Sequence, residues 1–312
     1  MVVRLALVLA CGVALVAPGA AGAADGELRS LGTARSPVLT DGTRYAAFLS
    51  DPTHLTVRDD ARERSFEVSN PPGCRPVALG GGARLLRECP PEEPPPGEPA
   101  AEHHYEVVNL TQETVNDVPT RPGDVFTDVG LRWLGGEARP EPGHVELTYV
   151  DWRTGRRVGF GEDPSDARVT RDLDSPTLAP LAPPRPADYA VVADGPFTAA
   201  HTGRDPQGRP AYLDLYRGTT ERKFGQRLAR LERCGATACR SITIGGGLVT
   251  WVKGRQVRGR AIRGGQRVLV RIAPGASAAG LRATHTRATV YVALFKGEDD
   301  SSGFRLYALD WR

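Results

Sequence analysis

Four arginines near the end of the chain, Arg258, Arg260, Arg267 and Arg271, sit on either side of Gly264-Gly265 in two runs that alternate like β-strands. With the two glycines as a tight turn, opposing positions sum to 529. All four arginines then share one face, and Arg258 lies directly opposite Arg271. A like-charged pair facing itself across a ladder costs stability unless an anion is near, so the row reads as an anion- or partner-binding strip. The competing expectation is that these arginines pair with carboxylates of a neighbouring element, or face solvent.

Acid–base chemistry would need carboxylates instead. Asp41, Asp128, Asp172 and Asp174 are candidates for a glycosidase-like cluster, which requires two or three acidic groups brought together. His103-His104 is a poor metal chelate, because neighbouring residues of a strand point to opposite faces. There is no Gly-x-Ser-x-Gly, P-loop, Rossmann fingerprint or His-Glu-x-x-His. No catalytic residue, metal or cofactor is therefore expected. Trp133, Trp152, Trp251 and Trp311 fall in or beside strand-like runs, where packing is their expected role.

Five cysteines are present, and Cys11 lies in an apolar N-terminal stretch. Residues 1–23 carry Arg4, a 12-residue apolar run from Leu5 to Val16, and the small-x-small site Ala21-Gly22-Ala23, which is the pattern of a secretory signal peptide. A lipoprotein reading of Val8-Leu9-Ala10-Cys11 leaves only Leu5 to Ala10 as its apolar core. The expected mature chain is 24–312, secreted or held at the cell envelope, with no membrane span left after cleavage. In that compartment Cys74, Cys89, Cys234 and Cys239 form two disulfides. Residues 74–89 fold about Gly80-Gly81-Gly82 with opposing positions summing to 163, so Cys74 meets Cys89 and Cys234 pairs with Cys239.

These residues must be positioned by a repeat. A β-rich run ending in a polar residue, a tight turn and a second β-rich run recur with the turns led by positions 59, 109, 151, 216, 263 and 310. The spacings of 50, 42, 65, 47 and 47 are blade-sized. Cys74 to Gly82 aligns without gaps on Cys239 to Gly247, 165 positions later, as two blades of one ring would. The last copy lacks its outer strand at the end of the chain, and Glu27 to Ala34 can supply it, which removes an open edge. The expected fold is all-β, a single six-bladed β-propeller over 24–312, with five or seven blades as the neighbouring counts. Pro-rich insertions near 90–102 and 176–186 cannot pair as central strands and are expected at the rims.

Residues Thr40 to Ser50, TDGTRYAAFLS, are similar to the Asp-Gly, apolar strand, Ser repeat of the WD40-like and TolB-like propeller superfamily. The resemblance is at the level of the fold and implies no catalytic residues, since such propellers serve many roles.

Charge sharpens the picture. The chain has 40 Lys and Arg against 37 Asp and Glu, and a net charge of +3 is too small for a nucleic-acid binder of this size. Only three of the basic residues are lysines, the bias expected of a high-GC bacterial genome. Glu88 to Asp117 holds eight acidic residues and no Lys or Arg, whereas Arg240 to Lys296 holds eleven basic residues and no acidic one. The expected function is that of an exported, monomeric, non-enzymatic scaffold binding a protein or an acidic envelope polymer. Alternatives are a propeller-type carbohydrate-active enzyme with axial carboxylates and an accessory subunit of an envelope complex.

Overall fold

The computed structural model describes residues 28–90, 103–139, 146–160, 173–174, 189–194, 196–204, 207–218, 225–235, 238–271, 280–295 and 303–311. The signal segment, most of both Pro-rich insertions and Asp172 lie outside the described residues. No helix occurs among the described residues.

Six four-stranded antiparallel sheets form the blades of a ring. The first described strand, β1 (Arg29–Ala34), belongs to the last blade. Blade 1 is β2 (Leu39–Thr40), β3 (Tyr45–Asp51), β4 (His54–Asp59) and β5 (Arg64–Ser69). Blade 2 is β6 (Arg75–Gly80), β7 (Arg84–Cys89), β8 (His104–Asn109) and β9 (Thr114–Asp117). Blade 3 is β10 (Val125–Val129), β11 (Trp133–Ala138), β12 (Glu146–Asp151) and β13 (Arg157–Phe160). Blade 4 is β14 (Tyr189–Asp194), β15 (Phe197–Arg204), β16 (Pro210–Arg217) and β17 (Gln226–Arg233). Blade 5 is β18 (Cys239–Gly245), β19 (Leu248–Lys253), β20 (Gln256–Ala261) and β21 (Gln266–Arg271). Blade 6 is β22 (Leu281–His285), β23 (Thr289–Phe295) and β24 (Phe304–Asp310), completed by β1 from the start of the chain.

Burial explains the sequence pattern within each blade. The second strand is covered on both faces and is buried without alternation, Leu248 to Val252 in β19 and Thr289 to Ala293 in β23. The fourth strand is largely exposed and polar, as in β5 and β9. Side chains of consecutive blades interdigitate. Leu55 and Val57 meet Leu85 and Val108 between blades 1 and 2, and Leu213 and Leu215 meet Val249 and Trp251 between blades 4 and 5. Beside blade 3, Trp133 and Tyr149 are covered by Leu173, from the segment leading to blade 4.

The recurring polar residue at the end of the third strand is a turn cap. Asp59 and Asp151 are fully buried, and Asn109 nearly so. Asp59 accepts Nε and Nη2 of Arg44 at 2.7 and 2.6 Å, and Asp151 accepts Nε of Arg132 at 2.7 Å and the Arg153 amide at 3.1 Å. Asn109 accepts the amide and hydroxyl of Thr111. The repeat is thus a buried acceptor that fixes the turn into the outer strand.

Both disulfides form as expected, Cys74–Cys89 with Cα atoms 4.0 Å apart and Cys234–Cys239 with 5.4 Å. Arg75 faces Glu88, in the register that sums to 163. A bulge between Pro76 and Ala78 then shifts the ladder to Leu79 opposite Leu85.

Candidate functional site

Blade 5 carries the arginines, and its register differs from the expected one. Gln256 faces Arg271 and Val257 faces Val270; a bulge follows, and then Arg258 faces Val268, Gly259 faces Arg267 and Arg260 faces Gln266. Arg258 therefore does not oppose Arg271. Arg267 takes the register position of Gly259 and leaves the row formed by Arg258, Arg260 and Arg271. The cause is a loop of Ile262 to Gly265, longer than the Gly-Gly pair alone, combined with the bulge.

Trp251 and Val249 face blade 4, so their cross-strand partners Arg258 and Arg260 do too. There Glu232 of β17 meets them. Its carboxylate accepts Nη1 of Arg258, Nζ of Lys253 at 2.9 Å and the Trp251 indole N–H at 3.4 Å. Burial pushes the Glu232 carboxyl up, but Lys253 and Arg258 outweigh it, and the group titrates below the usual carboxylate range. Arg258 is thus committed to an inter-blade ion pair, the competing expectation for these residues. The Nε of Arg260 is buried and has no hydrogen-bond partner among the described residues. Arg263, Arg271 and Arg287 are exposed. Sequence reasoning missed Glu232 because it belongs to another blade, 26 positions before Arg258.

The second candidate is the axial channel. The first strands of the blades, β2, β6, β10, β14, β18 and β22, surround a cavity of about 850 Å³. Bulges interrupt four of them, in β6, β10, β14 and β18. In β10 the bulge turns Thr127 and Asp128 together into the channel, where both are exposed. Asp128 accepts only the Thr127 hydroxyl, at 3.3 Å, among the described residues. The protein around it raises its pKa by desolvation.

The other proposed carboxylates are differently engaged. Asp41 accepts the amides of Thr43, Arg44 and Tyr45 at 2.7–2.9 Å and is a turn cap at the channel mouth. Asp174 accepts the Leu131 amide at 2.7 Å. Glu137, Asp194 and Arg282 also line the channel, and none of them was singled out from the sequence. Thr40, Thr243 and Thr284 are linked by their hydroxyls on the wall formed by blades 1, 5 and 6.

His103 and His104 diverge as strand geometry requires, Nδ1 of His103 to Glu88 at 2.6 Å and Nε2 of His104 to Glu106 and Asp117 at 3.5 and 3.7 Å. Arg87 already holds Glu106 at 2.5 Å. Trp133, Trp152 and Trp251 are buried packing residues.

No protein-family model matches the chain, and no curated protein sequence matches it. Solved structures do. The β-propeller domain of Cps50 (Swd1) from Myceliophteria thermophila is similar over 90% of this chain and 99% of that one, with a TM-score of 0.54 at 9% identity. The β-propeller domain of the Trilobed protease from Pyrococcus furiosus matches over 90% and 82%, with a TM-score of 0.40 at 8% identity. Against the acylaminoacyl peptidase of Pyrococcus horikoshii the TM-score is 0.42 at 10% identity, over 92% of this chain, which spans about half of that longer one (45%). The likeness to the Cps50 domain shows the propeller fold and nothing finer.

Proposed function

We propose that the chain is an exported, non-enzymatic binding propeller that holds an anionic partner, a protein or an acidic envelope polymer, against the basic sector of blade 5. The observation that carries this is the charge imbalance of that sector. From Arg240 to Lys296 there are eleven basic residues and no acidic one, and Glu232, from the neighbouring blade, answers two of them, Lys253 and Arg258. Exposed Arg263 and Arg271 lie on the loop and outer strand that follow β20, where an extended partner has access. Such a field steers and holds an anionic surface. Two disulfides in the blades fit an oxidising compartment, as export requires.

The test uses chain 24–312 beside a variant with Arg260→Glu, Arg263→Glu and Arg271→Glu. Arg258 is spared because its loss would strand Glu232. Polyglutamate and a phosphodiester polymer of defined length are the probes, followed by capture from the producing cell's envelope. Binding that weakens with salt and falls by about tenfold or more in the variant is expected. Equal binding by both chains overturns the reading.

A further inference from the structure

The axial channel carries charge that the blade 5 reading leaves unused. Among the described residues five carboxylates line it, Asp41, Asp128, Glu137, Asp174 and Asp194, against one guanidinium, Arg282, in a protein whose net charge is +3. Two of the five are spoken for by backbone amides, Asp41 at the mouth and Asp174 against Leu131, and Glu137 pairs with Arg139 at 3.6 Å. Asp128 is different. It is enclosed by the ring yet open to the channel, and no Lys or Arg pairs with it among the described residues. An enclosed carboxylate without a cation is costly, and its raised pKa expresses that cost.

We propose that the channel is a binding site for an organic cation bearing primary ammonium groups, with Asp128 as its anchor. A metal ion fits less well. Among the described residues no three His, Cys, Asp or Glu donors in the channel lie within 4.8 Å of one another, so there is no chelate. The volume of about 850 Å³ falls within the range of pockets that take small organic ligands. The linked hydroxyls of Thr40, Thr243 and Thr284, across the ring from blade 3, offer acceptors for a second ammonium group. Low-dielectric walls focus the field of the carboxylates along the axis, which draws a cation in from the mouth. The same ammonium chemistry is found on a free polyamine and on the lysines of a basic peptide.

Isothermal titration of chain 24–312 with spermidine and with trilysine separates those two sources, with glutamate as the anionic control. One-to-one binding of at least one amine is expected, weakened about tenfold or more by Asp128→Asn, an isosteric change that removes the charge facing the channel and leaves thermal stability intact. Arg282→Gln takes a positive charge out of the channel and tightens the same binding several-fold. Equal affinity in Asp128→Asn, weaker affinity in Arg282→Gln, or heat from calcium alone with none from either amine overturns the proposal. The blade 5 triple variant keeps the amine site, so failure of one reading is distinct from failure of the other.

Discussion

His285 sits fully buried in β22 between two partners that satisfy its neutral ring. Nε2 donates to the Gly245 carbonyl at 3.2 Å, and Nδ1 lies 2.9 Å from the Thr250 hydroxyl, which can donate to it. Burial pushes its pKa down to about 4, while in the unfolded chain the group titrates near ~6.5. The unfolded state therefore takes up the proton first as pH falls. The stability from the neutral ring is complete above the unfolded value and is lost progressively down to the folded one. From pH 7 to pH 5 this amounts to about 2 kcal/mol, at roughly 1.4 kcal/mol per unit. The carboxylates of Asp59, Asp151 and Glu232 are held below their usual range, so their contribution goes only at lower pH. Urea melts at pH 7 and pH 5 should show the loss in the native chain and a clearly smaller one in His285→Gln, whose amide cannot titrate, the remainder coming from His201, which burial also pushes down. An unchanged pH slope in that variant would assign the loss to other groups.

Between neighbouring blades, the inner strands approach so closely that side-chain volume decides what the element tolerates. A Cβ on Gly80, at the end of β6, would lie 1.6 Å from the carbonyl oxygen of Val129 in β10. Gly208, in the turn before β16, has φ of +78° and nothing within 4 Å of its virtual Cβ. Gly80→Ala must therefore push two first strands apart and should lower stability by about 3 kcal/mol or more. Gly208→Ala meets only backbone strain of about 1 kcal/mol. Comparable losses in chemical denaturation would mean that the ring yields at the axis. The same tightness explains what was legible in the sequence. Strand runs, turn caps such as Asp59 and Asp151, the Cys74–Cys89 pairing and the strand that closes blade 6 all follow from residue type and spacing. Bulges do not, since the extra residue has no type of its own. One after Pro76 left the cysteines correctly paired, because it falls nearer the turn, whereas the one after Val257 broke the arginine row. Asp128 was a candidate from its type alone. The Glu232–Arg258 pair joins two blades, and no local pattern announces it.

At the scale of the whole molecule, blades 2 and 5 stand opposite each other, so the acidic and basic segments give the ring a lateral charge asymmetry. The ring is shut at the junction of blades 6 and 1 by two separable devices. One is side-chain packing. Val38, Ala46 and Phe48 of blade 1 meet Tyr291, Ala293 and Leu306 of blade 6, and buried Asp60 accepts the hydroxyls of Tyr291 and Thr286. The other is β1, whose side chains are mostly exposed and which joins the ring through its backbone ladder with β24. A variant lacking residues 24–33 loses the partly buried Leu28 and Leu31, keeps the rest of the packing, including Ala34, and uncovers the outer edge of β24. Its ring should stay folded, with a modest fall in melting temperature, while seven residues of unpaired strand edge invite another chain. Sedimentation should then show concentration-dependent association that the intact chain lacks. A peptide of residues 27–34 added in trans should reverse it by filling the edge. A truncated chain that unfolds outright would make β1 part of the core, and one that stays monomeric would mean that the edge is protected in some other way.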